Sequence, residues 1–269
     1  MSIKLSYSNI AWTADQDDTV YEILKNHKFD GVEIAPTRIY PEEPYSKEHI
    51  KGIGEYAKKL QENHALSISS LQSIWYGRKE KIFSDAMEQD ALIEYTKRAA
   101  EFAKAAGAGN LVFGCPFNRN IEREDAALEQ RFYEGIQRGL EGGGVFFALE
   151  AVSSVYNTNY LNTTQSVLEK AEQLRNIGLK NIAVNLDLGT MLSEESSADI
   201  LKGKVHLISH VHISEPGLRT IEKRSIHQEV IEVLKEEGYN RFVSVEMGKG
   251  ASLSEIEEIA GYVSAIIET

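Results

Sequence analysis

The 269-residue sequence is poor in cysteine and contains no long apolar run. Cys115 is its single cysteine, which excludes an intramolecular disulfide and favours a reducing compartment. No stretch reaches the roughly 20 consecutive apolar residues that a membrane-spanning helix needs. The first five residues lead directly into a strand-like pattern. We therefore expect a cytoplasmic protein without a signal peptide.

Basic residues are also in deficit. The sequence has 29 Lys and Arg residues against 41 Asp and Glu residues, which gives a formal net charge of −12. Because Lys and Arg are the side chains that hold phosphate backbones, this balance argues against a nucleic-acid partner. A small, neutral or metal-bridged substrate suits an acidic chain better. We expect neither a nucleic acid nor a membrane as partner.

What the sequence does contain is a regular alternation of apolar strand patterns and amphipathic helical patterns. Glycines such as Gly31, Gly178 and Gly238 precede several strands, at points where a helix should end. The predicted strands are Leu5–Ile10, Gly31–Ala35, Leu66–Leu71, Asn110–Gly114, Val145–Leu149, Asn181–Leu186, Val205–Ile213 and Phe242–Val245.

Eight alternating β/α units without an intervening linker predict an α/β protein with a single (β/α)8 barrel, formed as one domain over residues 1–269. The rival is a doubly wound open sheet. It is less favoured because no Gly-x-Gly-x-x-Gly motif follows the first strand, where Ser8-Asn9-Ile10-Ala11-Trp12 stands instead.

Acidic or imidazole side chains close the last four predicted strands: Glu150, Asp187, His212 and Glu246. Taken singly, each acid can be a loop residue or a helix N-cap, and the histidine a hydrogen-bonded core residue. In a barrel, however, the carboxyl ends of all strands face one mouth. Three carboxylates gathered there would repel one another, and a divalent cation relieves that repulsion. We therefore predict one Mn²⁺, Co²⁺, Mg²⁺ or Zn²⁺ ion held by these four residues, and the spacing does not choose among the metals.

Further residues are candidates for the surroundings of this site. His210 lies two residues before His212, on the same side of the strand but one layer deeper. It is either a satisfied interior histidine or a partner that orients a metal ligand. Four residues at or near the ends of the first three strands are predicted to contact substrate, with packing as the alternative for the tryptophans: Trp12, Glu33, Gln72 and Trp75.

Together, Glu150, Asp187, the segment His210–Ile213 and Glu246 resemble the metal site of the xylose-isomerase-like TIM barrels. The resemblance covers the whole chain, and the intervals of 37, 25 and 34 residues between successive ligands match. It implies a metal-dependent sugar isomerase or epimerase in which Glu150 and Glu246 are both metal ligands and the acid/base pair. The cation would stabilise an enediolate formed by proton abstraction from a sugar or a related hydroxy-carbonyl compound.

Two departures from the ketose 3-epimerases of this group concern the substrate. Thr190 stands where they carry a substrate-contacting histidine. Their substrate-binding arginine lies six residues after the histidine ligand, whereas Arg219, the residue that we assign to this role, lies seven residues after His212.

The resemblance leaves several activities open. An inosose-type dehydratase or a hydroxypyruvate-type isomerase would use the same ligands. An apurinic endonuclease is less favoured because it needs three metals and further histidines, and residues 65–205 contain no histidine. A non-catalytic sugar-binding barrel is the remaining alternative. The expected partner is a small carbohydrate, and a homo-oligomer is possible because relatives commonly form one.

Overall fold

The computed structural model describes residues 2–121 and 125–268. In it, eight parallel strands close into a barrel in the order in which they occur along the chain. The strands are β1 Lys4–Ser8, β2 Gly31–Ile34, β3 Ser67–Leu71, β4 Asn110–Phe113, β5 Phe146–Glu150, β6 Ile182–Asp187, β7 Ile208–Ser214 and β8 Phe242–Glu246. The predicted (β/α)8 barrel is therefore confirmed.

Helices lie between the strands and after the last one. They are α1 Asp17–Asn26, α2 Pro36–Ile39, α3 Lys47–His64, α4 Ala86–Ala106, α5 Ala126–Leu140, α6 Thr164–Asn176, α7 Leu188–Ser193, α8 Ser225–Glu236 and α9 Leu253–Glu268. Within the described ranges, no helix has the length and apolar character needed to cross a membrane. The predicted domain limits, Met1 and Thr269, lie outside the described residues.

Local sequence explains where the long helices begin and end. The Asp85 carboxylate accepts hydrogen bonds from the backbone N–H groups of Met87 and Glu88, which caps the first turn of α4. The helix ends at Gly107, whose φ of +76° is a left-handed conformation that glycine adopts without strain. The chain then turns directly into β4, as the glycine pattern predicts.

One cluster of buried apolar residues from the strands and the helices makes up the core, and it includes the adjacent rings of Trp75, Phe113, Phe132 and Phe147. The inside of the barrel is more polar. The hydroxyl groups of Ser6 and Ser69, for example, lie 2.6 Å apart within hydrogen-bonding distance. A polar interior allows charged groups to be held there with partners.

The strand register sets the relative heights of the predicted ligands. Glu150 lies opposite Asn185, Asp187 lies opposite His212, and Ser214 lies opposite Glu246. Glu150, Asp187 and Glu246 are the last residues of their strands, but His212 is two residues short of the end of β7. The prediction that His212 closes its strand was wrong. So was the start of that strand, because residues 205–207 form a 3-10 turn.

Candidate metal centre

His212 is the buried centre of the site, and its two ring nitrogens have different surroundings. The Nε2 atom lies 2.9 and 3.1 Å from the two carboxylate oxygens of Glu33 on β2, so it carries the proton and donates it. A neutral imidazole then has its lone pair on Nδ1. That atom lies 3.3 Å from Glu246 Oε2 and 3.7 Å from Glu150 Oε2. Glu33 therefore directs the unprotonated nitrogen of His212 towards the three carboxylates, where it could bind a metal.

Three carboxylates approach this nitrogen from the ends of neighbouring strands. Ligand atoms of Glu150, Asp187 and His212 all lie within 4.8 Å of one another. Glu246 completes the group through its contact with His212 Nδ1. The structure thus brings together the four residues that the sequence analysis proposes as ligands.

The carboxylates of Glu150 and Asp187 are held in place by residues on the adjacent strands and in the first turn of α7. The side-chain amide of Asn185 donates to Glu150 Oε2 over 2.9 Å. Asp187 accepts hydrogen bonds from the backbone N–H of Thr190, over 2.6 Å, and from the hydroxyl of Ser214. One oxygen of Glu150 and both oxygens of Asp187 are thereby held, which reduces the conformational freedom that these side chains would lose on binding an ion.

Electrostatics shows why a cation suits this arrangement. Burial, together with the charges of Glu246 and Asp187, raises the pKa of Glu150 to about 8. Burial and the charge of Glu246 also raise the pKa of Asp187. Burial lowers the pKa of His212, but the carboxylates of Glu33 and Glu246 outweigh that effect and raise it well above the ordinary value. A divalent ion would neutralise the carboxylates, and three oxygen donors with one imidazole fit Mn²⁺, Co²⁺, Mg²⁺ or Zn²⁺.

A second cluster deeper in the barrel, Glu33, His210 and His212, also has ligand atoms close enough for an ion. Its three side chains are at most 1% exposed, and its shared nitrogen, His212 Nε2, already donates to Glu33. Burial raises the pKa of Glu33, but the two imidazoles outweigh this and hold it below its usual range. Glu33 is therefore an ionised anchor for the histidines. The mouth cluster is therefore the better candidate for a metal site.

The mouth cluster opens into a cavity of about 270 Å³. Among the described residues that line it, the charged ones are all acidic: Glu150, Asp187, Glu215 and Glu246. Apolar side chains such as Ile10, Val112 and Val152 form much of the remaining wall. Gly114 also lines it, and a side chain there would come within 3.2 Å of Glu150 Oε1. The cavity therefore leaves room beside this carboxylate.

The residues predicted to contact substrate are placed differently from one another. Gln72 lines the cavity and donates to the hydroxyl of Ser8. The indole N–H of Trp12 donates to Asp17 and that of Trp75 to Thr96, and neither ring lines this cavity. Packing is the better interpretation of both tryptophans.

Glu33 and Arg219 also lie outside the cavity wall. Glu33 is fully buried below His212, so its contacts are with protein groups. Arg219 is 62% exposed, and its Nε atom donates to the carbonyl of Pro216 over 3.2 Å. His210, predicted to support a ligand, reaches His212 through Glu33, since its Nε2 lies 3.4 Å from Glu33 Oε1.

Sequence reasoning missed Asn185 and Ser214. Both lie two residues from a predicted ligand on the same strand, so strand alternation already placed them on the ligand face. Arg119 follows β4, where the sequence makes it a candidate for the cavity wall, but it lies outside the lining. Its side chain is 0% exposed and donates to the backbone carbonyls of Gly114 and Glu150 over 2.8 and 2.9 Å.

Replacing Arg119 with methionine should destabilise the protein, because its guanidinium also donates to Phe113 and Leu161. Each buried carbonyl left without a donor costs roughly 1–3 kcal/mol, so we expect the free energy of unfolding to fall by at least about 3 kcal/mol. Urea denaturation measures this. Arg138→Met removes only an exposed ion pair with Glu134 and should cost less than about 1 kcal/mol. Equal losses in the two variants would contradict the prediction.

The raised pKa of Glu150 predicts that metal affinity increases with pH. Its pKa rises from 4.5 to about 8, so the metal-free fold keeps a proton that the unfolded chain loses. Between pH 4.5 and about pH 8, the metal-free protein therefore loses stability as the pH rises. Near the upper end of this pH range, an ion must displace fewer protons in order to bind. We expect Mn²⁺ to raise the melting temperature more at about pH 8 than at about pH 6. An equal increase at both pH values would show that these carboxyl groups are already ionised.

The sequence matches the family model described as xylose isomerase-like TIM barrel over residues 21–265. No curated protein sequence matches significantly. A D-psicose 3-epimerase from Clostridium cellulolyticum H10 is similar in structure, with 18% identity, a TM-score of 0.73 and coverage of 99% of this chain and 97% of that one. An L-ribulose 3-epimerase has 16% identity and a TM-score of 0.76, covering 99% and 93%. A family 2 AP endonuclease from Brucella melitensis has 17% identity and a TM-score of 0.69, covering 95% and 96%. At these identities the likeness shows the fold alone.

Proposed function

The chain belongs to the xylose isomerase-like TIM-barrel family, and from this premise we propose that it is a divalent-metal-dependent isomerase or epimerase of a sugar or related hydroxy-carbonyl compound. The observation that carries the proposal is the orientation of His212. Its Nδ1 faces the carboxylates of Glu150 and Glu246 at 3.7 and 3.3 Å, and both of these carboxylates line the cavity. The sugar 3-epimerases among the structural neighbours support the same reaction class.

We assign four ligands to the ion: Glu150, Asp187, His212 and Glu246. When bound, a divalent cation would polarise a substrate carbonyl and offset the charge of an enediolate. The proton transfers belong to the protein. Glu150 and Glu246 reach the cavity from β5 and β8, with β6 and β7 between them. One carboxylate would remove the carbon-bound proton and the other would return one from a different side of the substrate, which inverts the carbon.

The cavity lining favours a neutral substrate. None of the described lining residues is Lys, Arg or His, so a phosphate group would meet carboxylates without a compensating cation. The same lining disfavours a nucleic-acid backbone, in agreement with the net charge of −12. The AP endonuclease neighbour shares the fold, and its name is not carried over to this chain.

Deuterium exchange tests the proposal without knowledge of the product. The Mn²⁺-loaded protein is incubated in heavy water with unphosphorylated ketoses, ketose phosphates, hydroxypyruvate and an inosose. We expect deuterium to appear at the carbon next to the carbonyl of a neutral ketose, and protein stripped of metal serves as the control. Dehydration of the inosose or exchange into hydroxypyruvate would assign one of the alternative activities. No exchange into any compound would refute proton-transfer catalysis and favour a sugar-binding barrel.

A further inference from the structure

A second cleft, of about 450 Å³, adjoins the catalytic cavity. The linings of the two share Ser73, Cys115 and Pro116, so the two spaces lie side by side. The cleft lies over the loops that follow β3 and β4. None of the roles assigned to residues of the metal centre uses it.

The walls of the cleft include two aromatic side chains exposed to solvent. Tyr76 is 72% exposed and Phe117 is 57% exposed. Rings left uncovered at the edge of a cavity are typical of binding surfaces, because burying them against a ligand is favourable. Ile177 shows by contrast that an exposed apolar side chain can also occur far from the mouth, at the end of α6.

Hydrogen bonds within the protein hold the cleft in shape without a ligand. Trp75 is buried there, with its indole N–H bonded to Thr96 over 2.9 Å. The side-chain amide of Asn118 donates to the carbonyls of Arg78 and Glu80 over 3.2 and 2.7 Å, which holds the loop in shape. A preformed cleft loses little conformational entropy on binding.

The basic residues of the cleft do not form an anion-binding site. Arg78 lies at the cleft, but its guanidinium is paired with Glu80 and lies 4.7 Å from the centre of the Tyr95 ring. The carboxylate of Glu80 thus already balances the charge of Arg78. Lys79 is the other basic residue of the wall, and it is exposed to water. The dominant surface offered to a ligand is aromatic.

We propose that this cleft binds a second ring joined to the reacting sugar, so that the substrate class is a ketose-containing disaccharide or glycoside. The inference rests on the proposed function of the adjoining cavity. A molecule that occupies both spaces would have to pass over the residues that the two linings share. The apolar C–H face of a sugar ring can pack against Tyr76 and Phe117, while its hydroxyl groups remain in water.

The test compares fructose with ketose-ended disaccharides, namely isomaltulose, lactulose and turanose, in the deuterium-exchange assay with Mn²⁺-loaded protein. We expect kcat/KM for at least one disaccharide to exceed that for fructose by about tenfold or more. In the double variant Tyr76→Ala, Phe117→Ala this ratio should fall to about one. The matched control Ile177→Ala removes an equally exposed side chain outside the cleft and should keep the ratio unchanged.

The outcomes separate this inference from the proposed function. Exchange into fructose without any advantage for a disaccharide overturns the proposal that the cleft binds a second sugar ring, and it leaves the enzyme assignment intact. If no sugar exchanges, calorimetric titration with the same disaccharides tests binding directly. Binding that weakens about tenfold in the double variant supports a sugar site in the cleft, and the absence of binding overturns it. A double variant that loses self-association in sedimentation but keeps the disaccharide ratio would assign the aromatic patch to a subunit interface, which also overturns it.

Discussion

Replacing Glu150 or Glu246 with glutamine is expected to lower the rate of solvent-proton exchange into substrate by at least about 10³-fold. Glutamine keeps the size of the side chain but can neither accept the carbon-bound proton nor contribute a negative charge to the ion. The two carboxylates enter the site from different strands and face the same nitrogen, His212 Nδ1. Neither should therefore substitute for the other. Exchange followed by NMR in heavy water measures the effect.

The metal content of each variant must be measured alongside the rate, because loss of the ion and loss of the base would both lower it. A variant that binds Mn²⁺ and fails to exchange isolates the proton-transfer role. Glu101→Gln makes the same chemical change on an exposed turn of α4 and should leave the rate unchanged. Near-normal exchange in Glu150→Gln or Glu246→Gln would remove that residue from the mechanism.

The second large effect concerns Glu33, which does not reach the cavity. In Glu33→Gln we expect the affinity for Mn²⁺ to fall by about 10–100-fold, as is usual when the partner of a ligating histidine is lost. Glu33 can only accept a hydrogen bond from His212 Nε2, which fixes the lone pair on Nδ1. A glutamine amide can instead donate to Nε2, and the proton would then occupy the nitrogen that faces the ion.

Calorimetric titration of metal-free protein with Mn²⁺ measures this affinity. Asp30→Asn is the matched control, because Asp30 precedes β2 and accepts a hydrogen bond from the backbone of Leu5, away from the mouth. If the fold is retained, Asp30→Asn should change the affinity for Mn²⁺ by less than about twofold. A folded Glu33→Gln protein with unchanged affinity would mean that other groups orient His212.

Hydrophobic periodicity carried most of the fold prediction. The alternation of strand and helix patterns gave eight units, and all eight strands occur with ends shifted by a few residues. The largest error was at β7, where an apolar run from Val205 to Ile213 contains both a 3-10 turn and a strand. Apolar residues suit either conformation when both are buried, so the pattern alone does not mark the boundary.

Prediction of the site was more uneven. Residues that follow an apolar run on neighbouring strands meet at one mouth, which is why four candidate ligands were found from spacing and resemblance. The two tryptophans were placed at the mouth by the same reasoning. Their indole N–H groups instead have partners in Asp17 and Thr96. The orientation of a large side chain depends on such a hydrogen-bond partner. The position of the residue in the sequence does not reveal which partner that will be.

The sequence by itself determined the repeating β/α order and the chemical identity of the donors gathered at the strand ends. Only the tertiary structure decided which nitrogen of His212 faces them, since that depends on Glu33, 179 residues away on the far side of the barrel. It also decided that a cleft with exposed aromatic rings lies beside the cavity. The physical reason is that a local pattern fixes backbone conformation, whereas contacts across a barrel arise when all eight strands close and set their register together.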